Sequence, residues 1–259
     1  MSHIICIANQ KGGVGKTTTT VNLGASLAVA EQRSLLVDCD PQGNATTGTG
    51  INKADLSKSL YHGLIQSESV ESLILDTELD HLKILPANMD LIGAEVELIS
   101  HPNREGLLQE LLKPLFDEYD YILFDCPPSL NLLTVNALTA AHTLLIPLQC
   151  EFYALEGLSQ LLQTFSRIKK NLNRGLRIEG VLLTMFDKRN NLSHQVAEEA
   201  NKYFKNLVFQ TRIPRNVRLG EAPSFGKPIL LYDITSPGAQ SYLALAKEII
   251  NGRRRKQYA

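Results

Sequence analysis

Nine residues, Gln10-Lys11-Gly12-Gly13-Val14-Gly15-Lys16-Thr17-Thr18, follow the apolar run Ile4-Ile5-Cys6-Ile7-Ala8 and precede a segment with helical character. A buried strand, a glycine-rich turn and a helix, in that order, read as a phosphate-binding loop. The glycines let backbone N–H groups turn inward around phosphate oxygens, and the helix N-terminus favours negative charge. Lys16 brings positive charge to the β and γ positions, and Thr17 can ligand Mg²⁺. Gly12, Gly13, Val14, Gly15, Lys16, Thr17 and Thr18 are therefore candidate nucleotide-binding residues. The strict pattern G-x-x-x-x-G-K-[S/T] is not met, because its first glycine falls on Gln10. K-G-G-x-G-K-T stands in its place and adds a second lysine, Lys11. Two lysines are one more than a single nucleotide needs, so one of them is expected to serve a different phosphate.

Further along the chain, strand-like and helix-like segments alternate. Residues 4–8 are expected to form the central strand and 17–30 the helix facing phosphate. Residues 35–38 (Leu-Leu-Val-Asp) complete a βαβ unit and end on a carboxylate. The loop Asp38-Cys39-Asp40-Pro41-Gln42-Gly43-Asn44 then lies where open α/β sheets place functional loops, beyond the carboxyl ends of strands. Residues 45–80 read as an ordered excursion. Strands are expected at 82–85, 121–125, 144–148, 180–185 and 208–213, and helices at 106–116, 155–170, 195–204 and 238–252. Residues 188–191 and 214–227 read as loops. The fold class that follows is α/β, a doubly wound and mostly parallel sheet with helices on both faces. One domain over residues 1–252 is expected, with a frayed basic tail at 253–259.

Apolar residues lead into Asp125, which suits a carboxylate acting on Mg²⁺ or its bound water. Asp38 and Asp40 are expected to point to opposite sides of an extended segment and so to do different jobs. Residues 184–187 (Thr-Met-Phe-Asp) occupy the region where GTPases carry N-K-x-D and lack the Asn-Lys pair, which favours adenine over guanine.

Composition sets the outer limits. No secretory leader is expected at the N-terminus, no apolar run approaches bilayer length, and the four cysteines lack C-x-x-C spacing, which points to a cytoplasmic protein with reduced thiols. The net charge of -1 hides a division along the chain. Residues 1–160 carry 8 Lys+Arg against 20 Asp+Glu, whereas residues 161–259 carry 18 against 7. A polyanion-binding face on the basic portion is one reading; mutual attraction of the two portions, or cations scattered over a solvated surface, are others.

The loop at 10–18 resembles the deviant Walker A loop of the ParA/MinD group of ATPases. The likeness extends to L-L-V-D-C-D-P-Q-G-N at 35–44, F-D-C-P-P-S at 124–129, P-L-Q-C-E-F-Y-A-L-E-G at 147–157 and I-P-R-N-V-R-L-G-E-A-P-S at 213–224. It is similar, over nearly the whole chain, to the ParA/Soj family of chromosome-partitioning ATPases in its short form, without an N-terminal helix-turn-helix. That resemblance implies an ATP-dependent homodimer using ATP and Mg²⁺, with Lys11 crossing to the partner's nucleotide. It places Asp40 on the attacking water, Asp38 near the metal, and the loop Pro214-Arg215-Asn216 against the base. It gives the basic portion a job, non-specific binding of double-stranded DNA through Arg189 and Arg218, with Lys188, Lys227 and Lys247 as further candidates. It also implies a ParB-type partner and a nucleoid-associated location, with no membrane partner. A MinD-like membrane-surface regulator is the alternative. An iron-protein-like reductase would need surface cysteines, whereas Cys126 and Cys150 are expected to be buried.

Overall fold

The computed structural model describes residues 2–151 and 158–257, apart from the side chains of 254–257. Seven strands form one sheet: β1 (His3–Ile7), β2 (Ser34–Asp38), β3 (Leu75–Asp76), β4 (Leu82–Leu85), β5 (Tyr121–Asp125), β6 (Thr143–Gln149) and β7 (Arg177–Thr184). Their spatial order is β3-β4-β2-β5-β1-β6-β7, parallel throughout except for β3, which runs antiparallel to β4. The chain steps outward from β1 to β2 and β4, returns to β5 beside β1, and crosses β1 to reach β6. This reversal opens a crevice at the carboxyl end of β1, where doubly wound sheets bind ligands.

Eleven α-helices occur among the described residues: α1 (Lys16–Val29), α2 (Asn44–Gly48), α3 (Leu60–Ile65), α4 (Leu91–Glu97), α5 (Leu107–Leu112), α6 (Leu132–Ala140), α7 (Leu158–Asn171), α8 (Asn191–Phe204), α9 (Val217–Glu221), α10 (Ile229–Tyr232) and α11 (Pro237–Gln257). Side chains alternate across the strands, so two cores form on opposite faces. Ile5, Ile7, Leu36 and Leu123 pack with α1, α10 and α11. Ile4, Cys6, Val37 and Phe124 pack with α3 to α8.

Several expected boundaries move. The helix anticipated over 106–116 stops as α5 at Leu112 and continues as a 3₁₀ turn, Lys113–Leu115. Pro114 has no N–H for an i−4 bond, which accounts for the change. The strand anticipated over 208–213 is reduced to isolated bridges, Val181 with Val208 and Phe186 with Pro214. Between them the amides of Gln210 and Thr211 turn away and donate to the Glu248 carboxylate, at 2.8 and 3.0 Å. The loop anticipated over 214–227 contains α9 and a 3₁₀ turn, Ala222–Phe225. The final helix, expected to end at 252 with a frayed tail, runs on to Gln257, beyond which the tail lies outside the described residues. The expected start of the 155–170 helix, residues 155–157, also lies outside them.

Candidate functional site

β1 ends at Ile7, and the loop after it is anchored twice before α1 begins. Asn9 donates from Nδ2 to the Pro147 carbonyl at 2.7 Å and accepts from the Lys11 N–H at 3.1 Å, tying the loop to β6. Thr184, at the end of β7, donates to the Val14 carbonyl at 2.8 Å. Gly13 and Gly15 adopt φ of 72° and 90°, in the left-handed region that costs other L-residues about 1–2 kcal/mol. Gly15 is the N-cap of α1, no side chain caps it, and no acidic residue occupies the first turn. The first amides of α1 are thus kept for an anion.

Lys16 is 7 % exposed and its Nζ donates to the Lys11 carbonyl at 3.1 Å. Burial lowers its pKa, opposed by the nearby Asp125, Cys126 and Asp40. The Thr20 hydroxyl donates to Asp125 Oδ1 at 3.0 Å. Burial first, and then the charge of Asp38, pushes the Asp125 carboxyl well above the usual range. Its Oδ2 is buried with no hydrogen-bond partner. A buried carboxylate oxygen without a donor is costly unless a cation or its bound water faces it.

Asp38 and Asp40 do take different partners, but not through strand alternation, which would place residues two apart on the same face: β2 ends at Asp38, and Asp40 lies in the turn beyond it. Asp38 is fully buried: its Oδ1 accepts from the Asp40 N–H at 3.2 Å, and its Oδ2 accepts from the Thr46 N–H at 2.8 Å and hydroxyl at 2.7 Å. Burial raises its pKa to about 6 despite those bonds. Asp40 accepts from the Gln42 N–H at 2.9 Å and lines a cavity of about 370 Å³ with Gly12, Gly13, Lys16 and Thr17. A second cavity of about 340 Å³ shares Gly15, Thr18 and Met185 with the first and is lined by Pro214, Arg215 and Asn216. Asn216 Oδ1 is buried there without a partner. The phosphate loop and the 214–216 loop, remote in sequence, therefore border one continuous groove.

These residues fit a magnesium nucleotide. No cluster of three or more His, Cys, Asp or Glu side chains suited to a metal occurs among the described residues. The ion would take its ligands from phosphate oxygens, water and Thr17, the common arrangement for Mg²⁺. The orphaned oxygens of Asp125 and Asn216 would find partners at the metal end and the base end.

Lys11 sits at the rim. Its side chain is 37 % exposed and its Nζ lies 3.6 Å from Glu151, which is also 3.5 Å from Arg215. Glu151 was not marked by sequence reasoning. Its place in the quoted motif at 147–157 is the only signal that pointed to it.

The proposed DNA contacts do not all converge. Lys188 and Arg189 line a groove of about 870 Å³ together with Arg212 and Arg215. Arg212 also stacks on Phe186, 4.5 Å from the ring centroid. Arg189 is 90 % exposed and paired with Asp187, whereas Arg218 pairs with Glu221 at 2.9 Å and Asp233 at 3.6 Å, outside the groove's lining. Lys227 faces Glu78, and Lys247 lines a separate cleft beside residues 206–211. Arg212 is the cation that sequence reasoning missed: Ile213 beside it is buried, which turns its neighbour outward. All four cysteines are buried and unpaired in disulfides, as anticipated.

Comparison with known proteins bears out the fold class and the family resemblance. A family model described as an AAA domain matches residues 2–178. The chromosome partitioning protein ParA of Myxococcus xanthus is 59% identical over 250 residues, covering 96% of this chain and 88% of that one. The sporulation initiation inhibitor protein Soj of Bacillus subtilis is 58% identical, covering 96% and 98%. Among solved structures, a cobyrinic acid a,c-diamide synthase of Mycobacterium smegmatis with bound ADP and magnesium superposes with a TM-score of 0.87 at 35% identity, covering 98% and 96%.

Proposed function

The chain belongs to the ParA/Soj family of chromosome-partitioning P-loop ATPases, and from that premise we propose that it is an ATP-gated DNA-binding dimer that segregates chromosomes or plasmids. ATP and Mg²⁺ are its cofactors. In this reading the loop amides and Lys16 would hold the phosphates, Thr17 would ligate the metal, and the unpartnered Oδ2 of Asp125 would face the metal end of the site. Mg²⁺ would supply charge neutralisation on the phosphates. Asp40, at the cavity wall, orients the attacking water, while Asp38 fixes the loop that carries Asp40 through its bonds to Thr46 and the Asp40 amide. Pro214 to Asn216 hold the base.

The observation that carries the dimer is the division of labour between the two lysines. Lys16 is buried against its own loop, whereas Lys11 stands half-exposed at the rim, on a weak contact with Glu151. A cation so placed can reach a second chain's phosphates, acting as an arginine finger does, with effects on rate of about 10³ to 10⁵. The Lys11→Ala protein is therefore expected to bind ATP yet lose hydrolysis and ATP-dependent dimerisation. Dimerisation and turnover at the original rate would sink the finger.

Dimerisation would bring two copies of the groove bearing Lys188, Arg189, Arg212 and Arg215 onto one surface, with Arg218, Lys227 and Lys247 outside it. Such a surface reads phosphate, not base edges. A ParB-type partner would then accelerate hydrolysis and release the dimer from the nucleoid, in the cytoplasm. The membrane-surface alternative is disfavoured by α11: its Ala239, Tyr242, Leu245, Ala246 and Ile249 are spent on the core. No described helix is long and apolar enough to cross a membrane.

A further inference from the structure

The 3₁₀ turn after α9, Ala222–Phe225, holds an aromatic ring out to solvent on a rigid support. It carries Pro223 near its start and is closed by Gly226 at φ 62°. The Gly226 N–H donates to the Pro223 carbonyl at 3.0 Å, the Lys227 N–H donates to the Ala222 carbonyl at 3.2 Å, and Ala222 is buried. A Cβ on Gly226 would stand 3.0 Å from the Gly50 Cα, so the turn lies directly against the chain just after α2. Phe225 is nevertheless 63 % exposed. Single exposed apolar side chains are ordinary, and Phe225 differs in what lies behind it. Its ring stacks on Tyr232 with centroids 5.1 Å apart, and the Arg218 guanidinium lies over Tyr232 at 6.0 Å. The Tyr232 hydroxyl donates to Glu221 at 3.1 Å, which fixes that second ring in turn.

The cations beside this column are two of those that the Lys188 and Arg212 groove leaves out. Arg218 pairs with Glu221 and Asp233, and Lys227 pairs with Glu78. Each of these side chains is partly exposed, and exposed pairs hold their partners weakly, so a phosphate oxygen can take a carboxylate's place. The three carboxylates keep the zone from adding much positive charge. What it offers a nucleic acid is therefore chiefly the ring, and an exposed ring beside cations is the arrangement that stacks on bases without reading their edges.

We propose that Phe225 is a base-stacking contact: its ring inserts beside a base of bound duplex DNA, at a step that opens easily, while Arg218 and Lys227 face the flanking phosphates. Tyr232 backs the inserted ring and keeps it from folding away. Apolar wedges of this kind partly unstack one base step, and flexible pyrimidine–purine steps admit them most readily. This rests on the reading of the chain as a DNA-binding protein and adds to it a contact that is made with bases instead of phosphate.

The test uses the full chain with Mg²⁺ and a non-hydrolysable ATP analogue. The sequence contains no tryptophan, so Phe225→Trp places a single reporter at the position. Anisotropy of a labelled duplex reads binding, and tryptophan emission reads stacking. Duplex DNA is expected to bind and quench the emission, whereas heparin, a polyanion without bases, binds and leaves it bright. Phe225→Ala is expected to keep basal ATPase and ATP-dependent dimerisation at wild-type levels and to bind the duplex about fivefold or more weakly. Its affinity should fall with salt along the same slope as the parent's, since a stacked ring releases no counterions. A duplex with a central mismatch unstacks at less cost, so the parent is expected to prefer it and Phe225→Ala to lose that preference. Binding without quenching, equal quenching by heparin, or an unchanged affinity in Phe225→Ala overturns the proposal. Loss of ATP-dependent dimerisation in Phe225→Ala overturns it too, since the ring would then join two copies of this chain. Absence of duplex binding by the parent in every nucleotide state would instead strike the DNA-binding reading itself, and the stacking contact with it.

Discussion

Asp125 is a buried carboxylate whose proposed metal role would set folding against function in a single side chain. It is fully buried, one of its oxygens lacks a donor, and burial with the neighbouring Asp38 pushes its carboxyl up. Asp125→Asn keeps the shape and removes the charge. The variant is expected to unfold at a temperature equal to or above that of the parent, while Mg²⁺-dependent hydrolysis falls by about 10- to 100-fold, the usual cost of losing an outer metal partner. Thermal melts beside ATPase assays check both halves. At the opposite end of the sheet, His142 accepts a hydrogen bond from the Ile4 N–H at Nδ1, 3.1 Å away. Burial, with the charges of His3, Arg177 and Arg253, lowers its pKa. The folded state therefore keeps this ring neutral where the unfolded chain, with a pKa of about 6.5, takes up a proton. Stability from this group is full above about pH 6.5 and declines as the pH falls through that value toward the folded pKa. Denaturant melts at pH 7.5 and 5.5 are expected to differ less in His142→Ala than in the parent. The position of Asp125 at the end of β5 was readable in the sequence because an apolar strand delivers it. That of Thr184 was not, since its hydroxyl matters only through where β7 ends.

Among the elements, those buried on both faces of the sheet were the most legible. β1, β2 and β5 read as continuous apolar runs because parallel strands are covered on both sides. α6 escaped notice for the same physical reason: Leu133, Thr134, Asn136, Ala137, Leu138, Thr139 and Ala140 are all buried, so no polar face marks a helical period. The 208–213 segment misled in the other direction. Its apolar residues suit a strand, but Glu248, 38 residues beyond Gln210 and contributed by α11, captures two of its amides. Hydrogen bonds to a charged acceptor contribute about 1.5–3 kcal/mol. Glu248→Ala is accordingly expected to destabilise the protein by that order and to raise hydrogen exchange at Gln210 and Thr211. Because Arg212 and Arg215 follow on the same segment, DNA affinity should fall with it. Unchanged exchange at those amides would show that the carboxylate does not hold the segment.

On the scale of the whole molecule, the sheet reversal at β1 gathers pieces scattered over two hundred residues: the loop after β1, the carboxylates after β2 and β5, and the 214–216 loop. Sequence motifs named these pieces, but only the strand order shows that two cavities share Gly15, Thr18 and Met185. The charge division was equally visible in the sequence, and its meaning was not. The cations of the second portion part company in space, Lys188, Arg189, Arg212 and Arg215 in one groove and Lys247 in another cleft. In the proposed dimer, nucleotide state decides whether the groove cations of two chains act together on DNA. Duplex DNA binding with ADP, ATP and a non-hydrolysable ATP analogue, each at two salt concentrations, tests it most directly. Tight binding with the triphosphates alone, weakening steeply with salt as released counterions require, is the expected result. Binding that ignores the nucleotide, or none in any state, would contradict it.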